Sequence, residues 1–247
     1  MIPIKTKTTI NIMREGCHIL SEIMEKLKKE IQPGIKTKDL ERLAKDLVFD
    51  YKVEPAFLNH DGFPSMLCVS INSVVVHGVP SNYILKEGDI ISLDMGVKHK
   101  GYYSDMAVTL PVGEIDFEAL RLIKATKKAL KMGINKAKVG NTFGDIGNTI
   151  QRHIESQGFT VIRDLCGHGI GEELHEDPQI LNYGKRHQGE KIKEGMVFCL
   201  EPMASMGGYK IRKSSDGFGF ETKDSSLSCH FEHTMAIVNG VAQVLTK

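Results

Sequence analysis

Two stretches of this chain, far apart in sequence, are written to one plan. Lys86-Glu87-Gly88 is followed, across four residues, by Leu93-Asp94, and Lys193-Glu194-Gly195 is followed, across four residues, by Leu200-Glu201. Upstream, His77-Gly78-Val79 has a counterpart in His168-Gly169-Ile170. Lys86 and Lys193 stand 107 residues apart, a period far too long for a solenoid, whose units run to a few tens of residues. What remains is a duplicated half-structure in which each copy delivers an acid at the end of a strand.

The hydrophobic pattern repeats in the same order. Ile10, Met13, Cys17, Leu20, Met24, Leu27 and Ile31 recur three or four apart, which predicts an amphipathic helix stopped by Pro33-Gly34. A second helix is expected from Thr37, taken as its N-cap, with Leu40, Leu43, Ala44, Leu47, Val48 and Tyr51 on one face. Short β-like runs follow at 66–71, 73–77 and 89–95. Helices at about 117–138 and 142–156, then strands ending near His168 and Glu201, restate that order. The expectation is a single α+β domain over 1–247, with pseudo-symmetric repeats at about 10–112 and 116–247 around one shared site.

Composition narrows the function classes. Thirty-two basic against thirty-one acidic residues give a net charge of +1, so the chain lacks the basic footprint of a nucleic-acid or membrane-surface protein. The sequence starts without the apolar run of a signal peptide, and no window approaches about 18 uninterrupted apolar residues. A cytoplasmic protein with neither membrane nor specific nucleic-acid partners is expected. The five cysteines (17, 68, 166, 199 and 229) contain no Cys-x-x-Cys pair, which points to buried thiols rather than a disulfide framework or a thiolate metal site.

The acids carry the chemistry. In Ile90-Ile91-Ser92-Leu93-Asp94-Met95 the apolar Ile91, Leu93 and Met95 share one face and Ser92 and Asp94 the other. If Lys98-His99-Lys100-Gly101 is the hairpin turn, Asp94 and Asp105 fall directly opposite each other, about 4.5–5.5 Å apart at Cβ, where like charges need a cation or a proton between them. Glu201 ends the apolar run Met196-Val197-Phe198-Cys199-Leu200, and Glu232 lies inside another. With His168 these make four carboxylates and one imidazole, a hard donor set suited to divalent ions. His175-Glu176-Asp177-Pro178-Gln179 opens like a zinc-binding helix, but Gln replaces the second histidine and Pro178 would break the helix. Gly167-His168-Gly169-Ile170-Gly171 fits neither dinucleotide nor phosphate-loop spacing, and no Gly-x-Ser-x-Gly elbow occurs.

Taken together, Val76-His77-Gly78-Val79-Pro80, Leu93-Asp94-Met95-Gly96, Ser104-Asp105, Cys166-Gly167-His168-Gly169-Ile170-Gly171, His175-Glu176, Leu200-Glu201-Pro202-Met203 and Phe231-Glu232-His233-Thr234 resemble the type I methionine aminopeptidases, M24A peptidases of the bacterial form without an N-terminal extension. The likeness covers nearly the whole chain. It implies a pita-bread fold, two pseudo-symmetric halves around a central antiparallel sheet, and removal of the initiator methionine from nascent proteins whose second residue is small and uncharged. It also implies two divalent metal ions, with Asp94 on one, His168 and Glu201 on the other, and Asp105 and Glu232 bridging both. Glu201 would move the proton of the attacking water, His77 and His175 would contact substrate, and Phe57, His60, Phe63, Cys68, Leu174 and Phe218 would wall the methionine pocket.

Here the sequence departs from the commonest bacterial pattern, which has aromatics at the positions of His60 and Leu174 and Trp at that of Phe218. The donor chemistry suits cobalt, manganese, iron or zinc without selecting among them. The implied partners are the N-terminal methionine of nascent peptides and a transient ribosome contact, and the implied state is a monomer. A related pita-bread X-Pro peptidase shares the five donors but usually carries a large extra N-terminal domain. A non-catalytic peptide- or ribosome-binding member of the fold would have lost donors, and none is lost here.

Overall fold

The computed structural model describes residues 2–247. Its elements follow the doubled order. First come α1 (Lys7–Lys29), α2 (Thr37–Tyr51), β1 (Glu54–Pro55), β2 (Leu67–Ile71), β3 (Val74–Val76), β4 (Ile90–His99) and β5 (Tyr102–Pro111). Then come α3 (Phe117–Lys136), α4 (Phe143–Ser156), β6 (Thr160–Val161), β7 (Cys166–Gly169), β8 (Glu176–Leu181), β9 (Val197–Leu200), β10 (Met203–Ser205), β11 (Ile211–Lys213), β12 (Phe220–Thr222), β13 (Ser228–His230), β14 (Glu232–Val238) and β15 (Val241–Val244).

Nine strands form one sheet in the order β1-β4-β5-β14-β9-β7-β8, with β2 also beside β4 and β15 beside β14. Every ladder in it is antiparallel. The order reads alike outward from its middle: β5, β4, β2 on one side and β14, β9, β7 on the other. That seam is narrow, Glu232 pairing with Ala107 and His233 with Met106. Thr234 reinforces it, since its Oγ1 accepts from Asp105 N at 3.0 Å and donates to Asp105 O at 2.7 Å.

The helices cover one side of the sheet. Leu20, Ile23, Met24 and Leu27 of α1 and Leu40, Ala44 and Leu47 of α2 pack against Ile91, Leu93 and Met95 of β4, while α3 and α4 pack on Phe198, Leu200 and Met235. Period-2 alternation therefore turns Asp94 to the face away from the helices. No helix among the described residues is long and apolar enough to cross a membrane.

Two local expectations are corrected. The β4–β5 turn is Lys100-Gly101, both at positive φ (49° and 87°), the backbone that a two-residue primed turn requires; His99 belongs to the strand. The register moves by two, so Asp94 faces Ala107 and Asp105 faces Gly96. The aspartates are diagonal neighbours on one face, not a directly opposed pair. Thr37 is not the cap of α2, whose N-cap residue is Lys36 with no side-chain bond; its hydroxyl instead donates to Ser81 O and accepts from Ser81 N, tying α2 to the loop before β4. At α4 the helix starts one residue after the expected 142, because Thr142 is its N-cap and forms a reciprocal capping box with Asp145.

Candidate metal centre and substrate pocket

Five strands converge on one point. Asp94 comes from β4, Asp105 from β5, His168 from β7, Glu201 from the residue after β9, and Glu232 from the first residue of β14. One oxygen each of Asp94, Asp105 and Glu232 lie within 4.8 Å of one another. His168 Nε2 stands 3.6 Å from Glu201 Oε1 and 3.9 Å from Glu232 Oε1. Gly167 permits this closeness, since a Cβ there would sit 2.5 Å from the Cys199 carbonyl oxygen on β9, the strand that delivers Glu201.

The electrostatics of this cluster are unfavourable without a cation. All four carboxylates are buried and, among the described residues, none is paired with a lysine or arginine. Burial, reinforced by mutual repulsion, pushes Asp105, Glu201 and Glu232 well above the usual carboxylate range. Asp94 is pushed up to about 6, again by burial. Asp94 Oδ1, Asp105 Oδ1 and Glu232 Oε1 have no hydrogen-bond partner, a costly state for buried acceptors. His168 is held neutral, burial lowering it to about 4, and its Nδ1 donates to Gly169 O at 2.9 Å, which leaves the Nε2 lone pair for a ligand. Orphaned oxygens, close spacing and one oriented imidazole fit a hard divalent ion.

Above the donors lies a cavity of about 380 Å³ whose lining includes Phe57, His60, Phe63, Cys68, Leu174 and Phe218, together with His77, His175 and all five donors. Phe63 meets Phe218 edge-on at 5.6 Å, and His175 lies between His60 at 5.4 Å and His168 at 4.5 Å, ring centre to ring centre. A second opening of about 350 Å³ reaches Asp94, His168 and Glu201 from the side of Met203 and His230. His77 occupies left-handed backbone (φ 57°), a conformation that costs a non-glycine residue energy and is retained where the surroundings impose it. The following Gly78 is pressed against Val69, where a Cβ would lie 2.2 Å from the carbonyl oxygen.

Four residues with a part in the site escaped sequence reasoning. Thr234 holds Asp105 through both backbone groups. Asp216 joins two cavity walls, accepting from Val79 N on the His77 loop and from Phe218 N. Lys5 pairs with Glu176 at 2.7 Å and so ties the segment before α1 to the strand that follows His175. His230 is buried beside Glu201, its Nε2 3.3 Å from Oε2. Only His230 left a signal: two residues before Glu232 in an extended run, it shares that residue's face.

Residues 11–239 match metallopeptidase family M24. A methionine aminopeptidase of Clostridium acetobutylicum is 44% identical over 247 residues, covering 100% of this chain and 99% of its own. The chain belongs to the M24 metallopeptidases. The crystal structure of a methionine aminopeptidase from Thermotoga maritima superimposes with a TM-score of 0.98 at 41% identity, covering 100% of both chains. A prolidase from Pyrococcus furiosus shares the M24 pita-bread architecture at a TM-score of 0.80 and 25% identity, over 99% of this chain but 65% of its own. As an M24 member the chain is a metal-dependent hydrolase, and the buried donor cluster is where its residues fit the metal.

Proposed function

We propose that this M24 member is a cytoplasmic methionine aminopeptidase that removes the initiator methionine from nascent proteins whose second residue is small and uncharged. The observation that carries this reading is the joining of two features in one cavity: buried carboxylates with orphaned oxygens at its base, and apolar walls above them. The likeness favours the X-Pro alternative less, the prolidase standing at a TM-score of 0.80 and 25% identity against 0.98 and 41% for the methionine aminopeptidase.

Two divalent ions would be held by these donors, one by Asp94, the other by His168 and Glu201, and both by Asp105 and Glu232; when bound they would acidify a water, polarise the scissile carbonyl and anchor the substrate amine. Glu232 suits sharing because it lies within reach of both Asp94 with Asp105 and His168. Glu201 would accept the water's proton and pass it to the leaving amine, a role that a metal-held carboxylate can share with coordination. His175 donates a hydrogen bond to the carbonyl oxygen, and His77, held neutral by burial at about 4, contacts the scissile amide. Phe57, Phe63, Cys68, Leu174 and Phe218, with His60 at the rim, receive the methionine side chain, whose thioether packs well on aromatic and sulfur walls.

The test varies only the second residue of a peptide. Met-Ala, Met-Gly and Met-Ser should be cleaved, and Met-Leu, Met-Lys and Met-Phe should be slower by roughly 10- to 200-fold, the cost of about 1–3 kcal/mol for a misfitting side chain. Equal kcat/KM for Met-Ala and Met-Phe would replace this reading with a general aminopeptidase, and cleavage of Ala-Pro but not Met-Ala would replace it with the X-Pro reading.

A further inference from the structure

His230 takes no part in the mechanism above. It ends β13, is 1% exposed, and neither of its ring nitrogens has a hydrogen-bond partner. Its backbone is fixed by other means: His230 N donates to Thr109 Oγ1 at 2.9 Å, and the same hydroxyl donates to His230 O at 2.7 Å. Pairing with Met203 secures the other edge. The ring is therefore aimed by its strand rather than by contacts of its own.

It is aimed at Glu201. Nε2 lies 3.3 Å from Glu201 Oε2, yet the contact is not aligned as a hydrogen bond. Two donors each about 2.0–2.2 Å from the same ion lie about 3–3.5 Å apart, so this is the separation of neighbouring ligands. His168 Nε2 stands 3.6 Å from the other oxygen, so an imidazole flanks each oxygen of one carboxylate. A nitrogen of His230 and one oxygen each of Glu201 and Glu232 lie within 4.8 Å of one another. We propose that His230 is an additional nitrogen donor, through Nε2, to the divalent ion that Glu201 holds, giving this centre two imidazoles. The proposal rests on the metal-site reading above. It predicts a preference for imidazole-seeking ions such as cobalt and zinc over manganese, beyond what one histidine would confer.

The experiment loads wild type and His230→Gln with cobalt(II). It records the hyperfine-shifted proton spectrum, in which each coordinated imidazole contributes an exchangeable ring N–H resonance, and titrates cobalt by calorimetry. Two such resonances are expected in wild type and one in the variant, with affinity weakened at least about tenfold. One resonance in wild type, or an unchanged count and affinity in the variant, overturns the proposal while leaving the metal centre standing. A wild type that takes up no cobalt overturns both. If the variant does not fold by circular dichroism, cobalt-edge X-ray absorption of wild type decides, two imidazoles per chain supporting the proposal and one refuting it.

Discussion

At the scale of single residues, the site divides into groups whose loss should be felt differently. Asp105→Ala and Glu232→Ala each remove a carboxylate shared by both proposed ions, and each should lower kcat/KM far more than tenfold. A variant that keeps more than about a tenth of wild-type kcat/KM, a barrier change below about 1.4 kcal/mol, would not fit a shared ligand. His77→Ala should bind metal with wild-type affinity in a calorimetric titration while losing at least about tenfold in kcat/KM, since its side chain lines the cavity proposed to receive substrate and is not among the proposed donors. Glu201 and Glu232 were legible as acids in apolar runs, where burying a charge is costly unless something answers it, and the repeated spacing joined Asp94 to Glu201; Asp105 was reached through a hairpin register that the structure shifts by two. Thr234, Asp216 and Lys5 were not legible. Each acts through partners 129, 137 and 171 residues away, and no local pattern encodes those pairings.

At the scale of elements, helices were easier to read than pairings. The 3.6-residue period located α1 and α2, whereas the box that fixes the start of α4, Thr142 with Asp145, is seen only in the structure. That box supplies a test with a sign. Burial alone would raise Asp145, but hydrogen bonds from the Thr142 backbone and side chain and from His187 N hold its carboxyl below the usual value. A depressed folded value means that the stabilisation is complete above the ordinary carboxylate pKa and is lost as pH falls through the folded one. Asp145→Ala should therefore cost about 1 kcal/mol in urea unfolding at neutral pH. The difference from wild type should shrink below about pH 4. A gap that widens on acidification would show that the carboxylate is not what caps α4. The β4–β5 register was misread for a different reason: face alternation is unchanged by a shift of two, so only turn geometry distinguishes the candidates, and Gly101 decides it.

At the scale of the whole molecule, the metal centre should contribute to stability as well as to chemistry. An ion that binds the folded chain and not the unfolded one stabilises it by about 2.7 kcal/mol at one hundred times its Kd. Chelation should accordingly lower the melting midpoint, and restoring the ion should recover it. A midpoint indifferent to chelator would mean that these acids are neutralised by protons instead.

The narrow β5–β14 seam has one more consequence, for the order of events in refolding. Asp94 and Glu232 are 138 residues apart, and β5 and β14 meet at only two paired positions, so the last donors close across a long loop after local structure has formed. Metal capture then becomes a clock for the final step. In stopped-flow refolding with a metal-sensitive dye, helical ellipticity should recover first, and the dye should surrender its ion only once the two edges have joined.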